Sequence, residues 1–482
     1  MILDLFYQET ENNQVCFTNP KIKIEENKQS PLFSYGGLAI VRKIIEKLSI
    51  AETIDSKLSL LKKHRPYHES DHIVNFVYNF LSGGDAIIDI DKLRNNKGLL
   101  RLLGTESYPA PTTAGDFLAR FKPDDIESFR EILNVTQEKA FTLLDNKRKK
   151  TATIDSDSSI HEVYGVKKEG ADYSYTKKWS YSALYFTLME TGDLLDIDLR
   201  GGNVYSSHGT SERLSIIIKN LKPHFAELRY RGDSAFYDKD IVSLCDKNEV
   251  EFFITADQTK RIMSEVLDIP EKEWKSLYKK KLRKCKTKKK RKKRKNYKKI
   301  TGKQRNSRII VKGKSEVASF TYQPVKWEKS YRFVVKRTEI IDESGQLPLD
   351  ETLCKYRYHI IVTNSDFTES EVMRIAQGRG NQENLIKDFK DGLGLSHIPT
   401  GFLDANKIYF LIAMLAWNIK TWMLNLLDLD DGAVLRCKRF FYLWIYHACI
   451  ISKTARNWIV IRLSKGEYYY RFSKAMKKAC SL

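Results

Sequence analysis

The sequence has no CxxC pair, no secretory start and no apolar run long enough for a bilayer. Its cysteines, at positions 16, 245, 285, 354, 437, 449 and 480, are scattered and odd in number. That spacing argues against a disulfide framework and a Cys-based zinc site, and it points to reduced thiols in a reducing compartment. The first residues, MILDLFYQETENN, offer neither the basic start nor the apolar core of a signal peptide. The most apolar helical stretches, Ile408–Trp417 and Phe440–Ile451, fall well short of the ~20 residues that cross a bilayer. The expectation is a soluble cytoplasmic protein with no membrane partner.

Acid is the next absence. Residues 279–299 contain 16 Lys or Arg and not one Asp or Glu. The densest part is Lys288, Lys289, Lys290, Arg291, Lys292, Lys293 and Arg294. The chain as a whole carries +22, of which only +6 lies outside this tract. Such a density of positive charge makes phosphate contact its main physical effect, so the expected partner is a nucleic acid.

What is present is ample core material, 42% hydrophobic and 11% aromatic over 482 residues, enough for about three domains. Residues 1–32 are polar and irregular. Residues 33–149 carry helical periodicity, with a start near Thr112 and Thr113 after Pro111. From Lys150 the pattern changes to three strands, TATIDSD, SYSALYFTLME and LLDIDLR, and then alternates helix and strand to Asp257. This is an α/β pattern with a mixed sheet. Residues 258–356 interrupt it with strand-like runs and the lysine tract, and read as a β-rich insertion. The sheet pattern resumes over 357–395, and 396–482 reads as helical.

Three acids sit where such a sheet places chemistry. Asp155 and Asp157 are two apart on a strand and share its face. Asp233 ends another strand, in RYRGDSAF, and carboxyl ends of strands are the usual site positions of open α/β sheets. Glu383 lies in GRGNQENLIKDFK, residues 378–390. At ~100° per residue, Glu383, Lys387 and Lys390 share one helical face, opposite Leu385 and Phe389. An ordinary i,i+4 ion pair explains Glu383 and Lys387 equally well. Two aspartates and a glutamate would supply the hard oxygen ligands that divalent ions need. A second motif, HESDH at 68–72, matches the zinc-protease pattern HExxH. Ser70 reads there as a helix N-cap, which leaves His68 outside the helix and argues against zinc.

The segments TIDSDSSIHEVYG (153–165), YRGDSAFYD (230–238), YHIIVTNSD (358–366), GRGNQENLIKDFK and ANKIYFLIAMLAWNIK (405–420) together resemble DDE transposases of bacterial insertion sequences. The resemblance is to the thirteen-eighty group, related to the four group, and spans roughly residues 35–470. It implies a ribonuclease-H-like mixed sheet core with a β-rich insertion, between an N-terminal helical domain for DNA binding or dimerisation and C-terminal helices. It implies Asp157, Asp233 and Glu383 as catalytic metal ligands, with Asp155 the rival for the first position. Two Mg²⁺ ions, replaceable by Mn²⁺, would serve cleavage and strand transfer on double-stranded DNA by a homodimer near the bacterial nucleoid. Arg379, Glu383 and Lys390 fit the four group's Tyr–Arg–Glu–Lys spacing, while Ala376 takes the Tyr position. By the same resemblance Arg379, Lys387 and Lys390 would hold DNA phosphates. The alternative is a non-catalytic nucleic-acid-binding protein derived from a transposase, or a nuclease that only hydrolyses.

Overall fold

The computed structural model describes residues 32–64, 66–165, 167–277, 311–341, 356–432, 434–454 and 459–482. The cluster Lys288–Arg294, with the rest of the lysine tract, lies outside the described residues, as does the stretch through residue 31.

The chain enters through a short strand, β1 (Leu32–Phe33), and a run of helices whose longer members are α1 (Leu38–Lys47), α2 (Ile50–Lys57), α3 (Glu69–Leu81), α4 (Pro111–Leu118) and α5 (Pro123–Leu143). Proline is the first residue of α4 and α5, where a missing N–H leaves no helical hydrogen bond unmade. The threonines 112 and 113 therefore lie inside α4. At α3 the N-cap is His68 and not Ser70: the His68 N–H donates to Asp71 Oδ2 at 2.8 Å, while Ser70 Oγ donates to Asp55 Oδ2 at 2.7 Å. The HExxH residues are otherwise engaged. Glu69 is buried and accepts the Leu60 and Leu61 N–H groups, both at 2.9 Å. His72 is stacked on Phe117 with ring centroids 4.4 Å apart, and burial lowers its pKa to about 4.

A ten-stranded mixed sheet follows. Its strands are β2 (Thr151–Glu162), β3 (Asp172–Tyr173), β4 (Trp179–Leu188), β5 (Leu194–Gly201), β6 (Glu227–Gly232), β7 (Glu251–Thr255), β8 (Lys275–Ser276), β9 (Val311–Tyr322), β10 (Tyr331–Ile341) and β11 (Tyr356–Thr363). The spatial order is β3-β4-β2-β6-β7-β11-β10-β9-β8, with β5 also on β4. β2, β6 and β7 are parallel neighbours. They are joined by helices, including α6 (Thr210–Leu221), as parallel crossovers require. The strands after residue 258 extend this same sheet, because β11 pairs antiparallel with β7 and carries β10 and β9 outward.

Next come α7 (Glu369–Gln377), α8 (Gly380–Gly392) and α9 (Leu403–Leu426). Helix α9 is apolar on every side and buried almost throughout, the mark of a helix surrounded by protein. It packs on α3, α5 and β5, so one hydrophobic core joins the N-terminal helices to the sheet. Trp417 fastens the contact by donating Nε1–H to the Gly192 carbonyl at 2.8 Å. No helix among the described residues is long and apolar enough to cross a membrane.

The C-terminal region is not wholly helical. Phe441–Ile445 is a π-turn, and Cys449–Lys453 forms β12, which pairs with β1 on one side and β13 (Ile459–Leu463) on the other. Gly36 N–H donates to the His447 carbonyl at 2.9 Å, and a side chain at Gly37 would collide with Trp444 O. Those contacts draw the segment away from helix. The chain closes with α10 (Glu467–Ser481).

Candidate active site

Register places the first two acids side by side. Asp155 on β2 is paired with Arg231 on the parallel strand β6. Asp157 and Asp233 each lie two residues further along, Asp157 within β2, where its pairing with β6 ends, and Asp233 just past the carboxyl end of β6. The chain turns sharply at Asp233, whose carboxylate accepts the Ala235 N–H at 3.0 Å. Gly232 permits the turn, since a Cβ there would meet Phe236 Cβ at 2.8 Å.

Helix α8 completes the site. Arg379 at its N-cap position points one nitrogen, Nη2, at Asp157 Oδ1 and at Asp233 Oδ2, 3.0 Å from each. One guanidinium thus bridges two carboxylates from two strands. Glu383 lies one turn further, exposed, and forms no ion pair with Lys387 among the described residues. Its charge still reaches the site. The Asp157 carboxyl is pushed up to about 6, first by burial and then by Asp233 and Glu383, against the pull of Arg379 and the Ser158 N–H.

Among the described residues no three His, Cys, Asp or Glu side chains are gathered closely enough to hold a metal ion. The donor set nevertheless fits a divalent cation. Asp157 and Asp233 present hard oxygens to one point, a positive charge already occupies that point, and a third acid is a helical turn away.

Asp155 does something else. Its two carboxylate oxygens accept Arg231 Nε and Nη2, both at 2.6 Å, and both side chains are 2% exposed. Burial raises the Asp155 carboxyl, and the guanidinium opposes that shift through the two bonds. Arg231 Nη1 also donates to the Ile375 carbonyl at the end of α7, at 2.8 Å. It reaches it only because position 378 is glycine, where a Cβ would collide with Nη1. Gln382 Nε2 donates to the Asp155 carbonyl at 2.8 Å. The α7–α8 elbow, which carries Arg379 and Glu383, is therefore docked on the sheet through Arg231, Asp155 and Gln382.

Lys390 belongs to the same scaffold. Its ammonium donates to Ser159 Oγ at 3.1 Å and to the Ile160 carbonyl at 2.8 Å, and burial lowers its pKa. It faces β2 instead of sharing the open side of α8 with Lys387, which is exposed. His161 is buried between Tyr185 OH (2.7 Å) and the Leu395 carbonyl (3.2 Å), and burial lowers its pKa to about 3. Ala376, in place of the signature Tyr, packs against the apolar cluster around Phe253 and Val334. Arg231 and Gln382 were not singled out from the sequence. The available signal was an equal offset: a charged residue two before each acid, Asp155 before Asp157 and Arg231 before Asp233.

A family model described as a Transposase DDE domain, group 1, matches residues 16–470. No curated protein matches the sequence. The solved cryo-EM structure of a piggyBac transposase synaptic complex with hairpin DNA is similar with a TM-score of 0.44 and 10% identity, over 86% of this chain and 81% of that one. With the family model spanning nearly the whole chain, the protein belongs to the group 1 DDE transposases and is a DNA transposase.

Proposed function

We propose that Asp157, Asp233 and Glu383 are the catalytic acids, on a ribonuclease-H-like core, and that they cut DNA at the terminal inverted repeats of an insertion sequence of the thirteen-eighty group. One observation carries this reading: acids from two parallel strands share a cation supplied by the helix that bears the third acid. Asp157 and Asp233 would hold Mg²⁺, as two ions with Glu383, or Mn²⁺ in its place. Such ions supply Lewis-acid stabilisation of the charge that develops on the phosphate and the leaving oxygen. Arg379 neutralises the two carboxylates and lies beside the position a scissile phosphate would take. Lys387, exposed on the same helix, adds a phosphate contact from the solvent side. The freed 3′-OH is then transferred to target DNA. Two ends must be paired for this, so a homodimer is the proposed working unit.

The test uses duplexes carrying the inverted repeats that flank the coding frame. Mg²⁺-dependent cleavage at the repeat boundary, abolished by EDTA, is the expected result. Specific binding without cleavage under any divalent metal would favour a non-catalytic descendant.

A further inference from the structure

The positive charge between the two aspartates belongs to the helix that carries the third acid. Arg379 Nη2 lies 3.0 Å from Asp157 Oδ1 and 3.0 Å from Asp233 Oδ2. The other bonds that these carboxylates accept among the described residues come from the backbone. Ser158 N–H donates to Asp157 Oδ1 at 2.9 Å, and Ala235 N–H to Asp233 Oδ1 at 3.0 Å. Arg379 is thus their one side-chain counter-charge among the described residues. A divalent ion held by these acids would take the same oxygens. At about 2.1 Å from either oxygen, it would lie no more than about 5 Å from Nη2. Like charges at that range repel strongly. An ion on the acids and Arg379 on the acids are therefore alternatives.

Arg231, close by on β6, shows a guanidinium fully engaged: its Nε and Nη2 each meet one oxygen of Asp155 at 2.6 Å. Arg379 uses Nη2 alone. Its Nε is buried and has no hydrogen-bond partner among the described residues. A buried donor without an acceptor is costly, so this pose leaves Arg379 one bond short. The edge formed by Nε and Nη2 suits two oxygens of one phosphate, as it suits the two of Asp155. Nε is closed to solvent in the present pose. The guanidinium must therefore turn off the acids to present that edge.

We propose that Arg379 is a built-in gate on metal binding: it closes Asp157 and Asp233 to divalent ions until a DNA backbone phosphate draws its guanidinium away. The proposal rests on the catalytic reading above and adds to it the regulation of the same site. DNA at the site raises the affinity for metal, and by reciprocity metal raises the affinity for DNA by the same factor. Away from DNA the chain binds ions weakly, which guards against stray hydrolysis.

The test measures Mn²⁺ binding to the full chain, from the loss of the free ion's electron spin resonance signal, and duplex binding by fluorescence anisotropy. The terminal-repeat duplex ends at the cleavage point, so no strand is cut during the measurement. In the absence of DNA, Arg379→Gln should bind Mn²⁺ about tenfold more tightly than wild type. Adding Asp157→Asn to that variant should remove the gain, which locates the ion on the aspartates. At constant ionic strength, saturating Mn²⁺ should raise duplex affinity about tenfold less in Arg379→Gln than in wild type. Equal Mn²⁺ affinity in the two proteins, or equal enhancement of duplex binding, would overturn the gate. A merely structural role for Arg379 would loosen the site and weaken Mn²⁺ binding, a change of the opposite sign. If Asp157→Asn and Asp233→Asn each left Mn²⁺ binding to the duplex-bound chain unchanged, the catalytic reading itself would fall.

Discussion

Asp155 and Arg231, neighbours across parallel strands, form a bidentate ion pair at 2.6 Å in the protein interior. Two residues further on, Asp157 and Asp233 face an open site. The two aspartates of the IDSD segment are therefore divided between holding the sheet and serving its edge. Removing one partner of a buried pair leaves an uncompensated charge, which costs about 3–5 kcal/mol. Asp155→Asn should lower unfolding stability by that order, read from denaturant midpoints, and Arg231→Met should do likewise. The double variant should recover much of the loss, since it strands no charge.

Asp157→Asn should act in the opposite direction on stability. The native carboxyl titrates at about 6, above its usual value, so its favourable contribution is complete below about pH 3.8 and is lost as pH rises through 6. At pH 8 the variant should be more stable than wild type by about 3 kcal/mol, and the gain should vanish near pH 4. Cleavage should be lost even though the protein is firmer, a trade expected where a site stores like charges.

His161 gives a second pH dependence, of opposite sign. Burial holds its imidazole neutral down to about pH 3, while the unfolded chain takes up that proton near 6.5. Its contribution is complete above about 6.5 and is lost as the pH falls toward 3, at about 1.4 kcal/mol per pH unit. Chemical denaturation at pH 5.5 and 4.5 should show wild type losing stability faster than His161→Phe by that slope. Parallel curves would mean that the ring is accessible to protons in the native state.

The basic residues divide in the same way. Lys387 is exposed, Lys390 is tied to β2, and the lysine tract carries 16 positive charges. Lys387→Ala should reduce the slope of log affinity against log salt by about 1. Lys390→Met should leave that slope unchanged and lower stability instead. Deleting 279–299 should flatten the slope strongly and weaken binding to every duplex alike. If deletion removed discrimination for the terminal repeat, the tract would be reading sequence rather than charge.

Much of the sheet was readable from local pattern. Apolar alternation marked β2 through Asp157, and the return of strand at YHIIVTN marked β11. The polar end of β2, Ser158–Glu162, gave no such signal, because its partners Lys390, Leu395, Tyr185 and Ser206 satisfy it from elsewhere. Phe440–Ile451 looked helical by composition, yet its fate is set by β1 and Gly36, over 400 residues earlier in the chain. The roles of Asp155 and Lys390 were hidden for the same reason. An aspartate whose partner is 76 residues away, and a lysine whose acceptors are about 230 away, look like any other charges until the strands are paired.

The most direct test of the site is strand cleavage by Glu383→Gln, because Glu383 is the acid that the fold leaves exposed and uncommitted. Single-turnover cutting of a terminal-repeat duplex in Mg²⁺ should fall by about a thousandfold, while affinity for that duplex stays at the wild-type value. Cutting at the wild-type rate would contradict the account and make Glu383 an ordinary surface charge on α8.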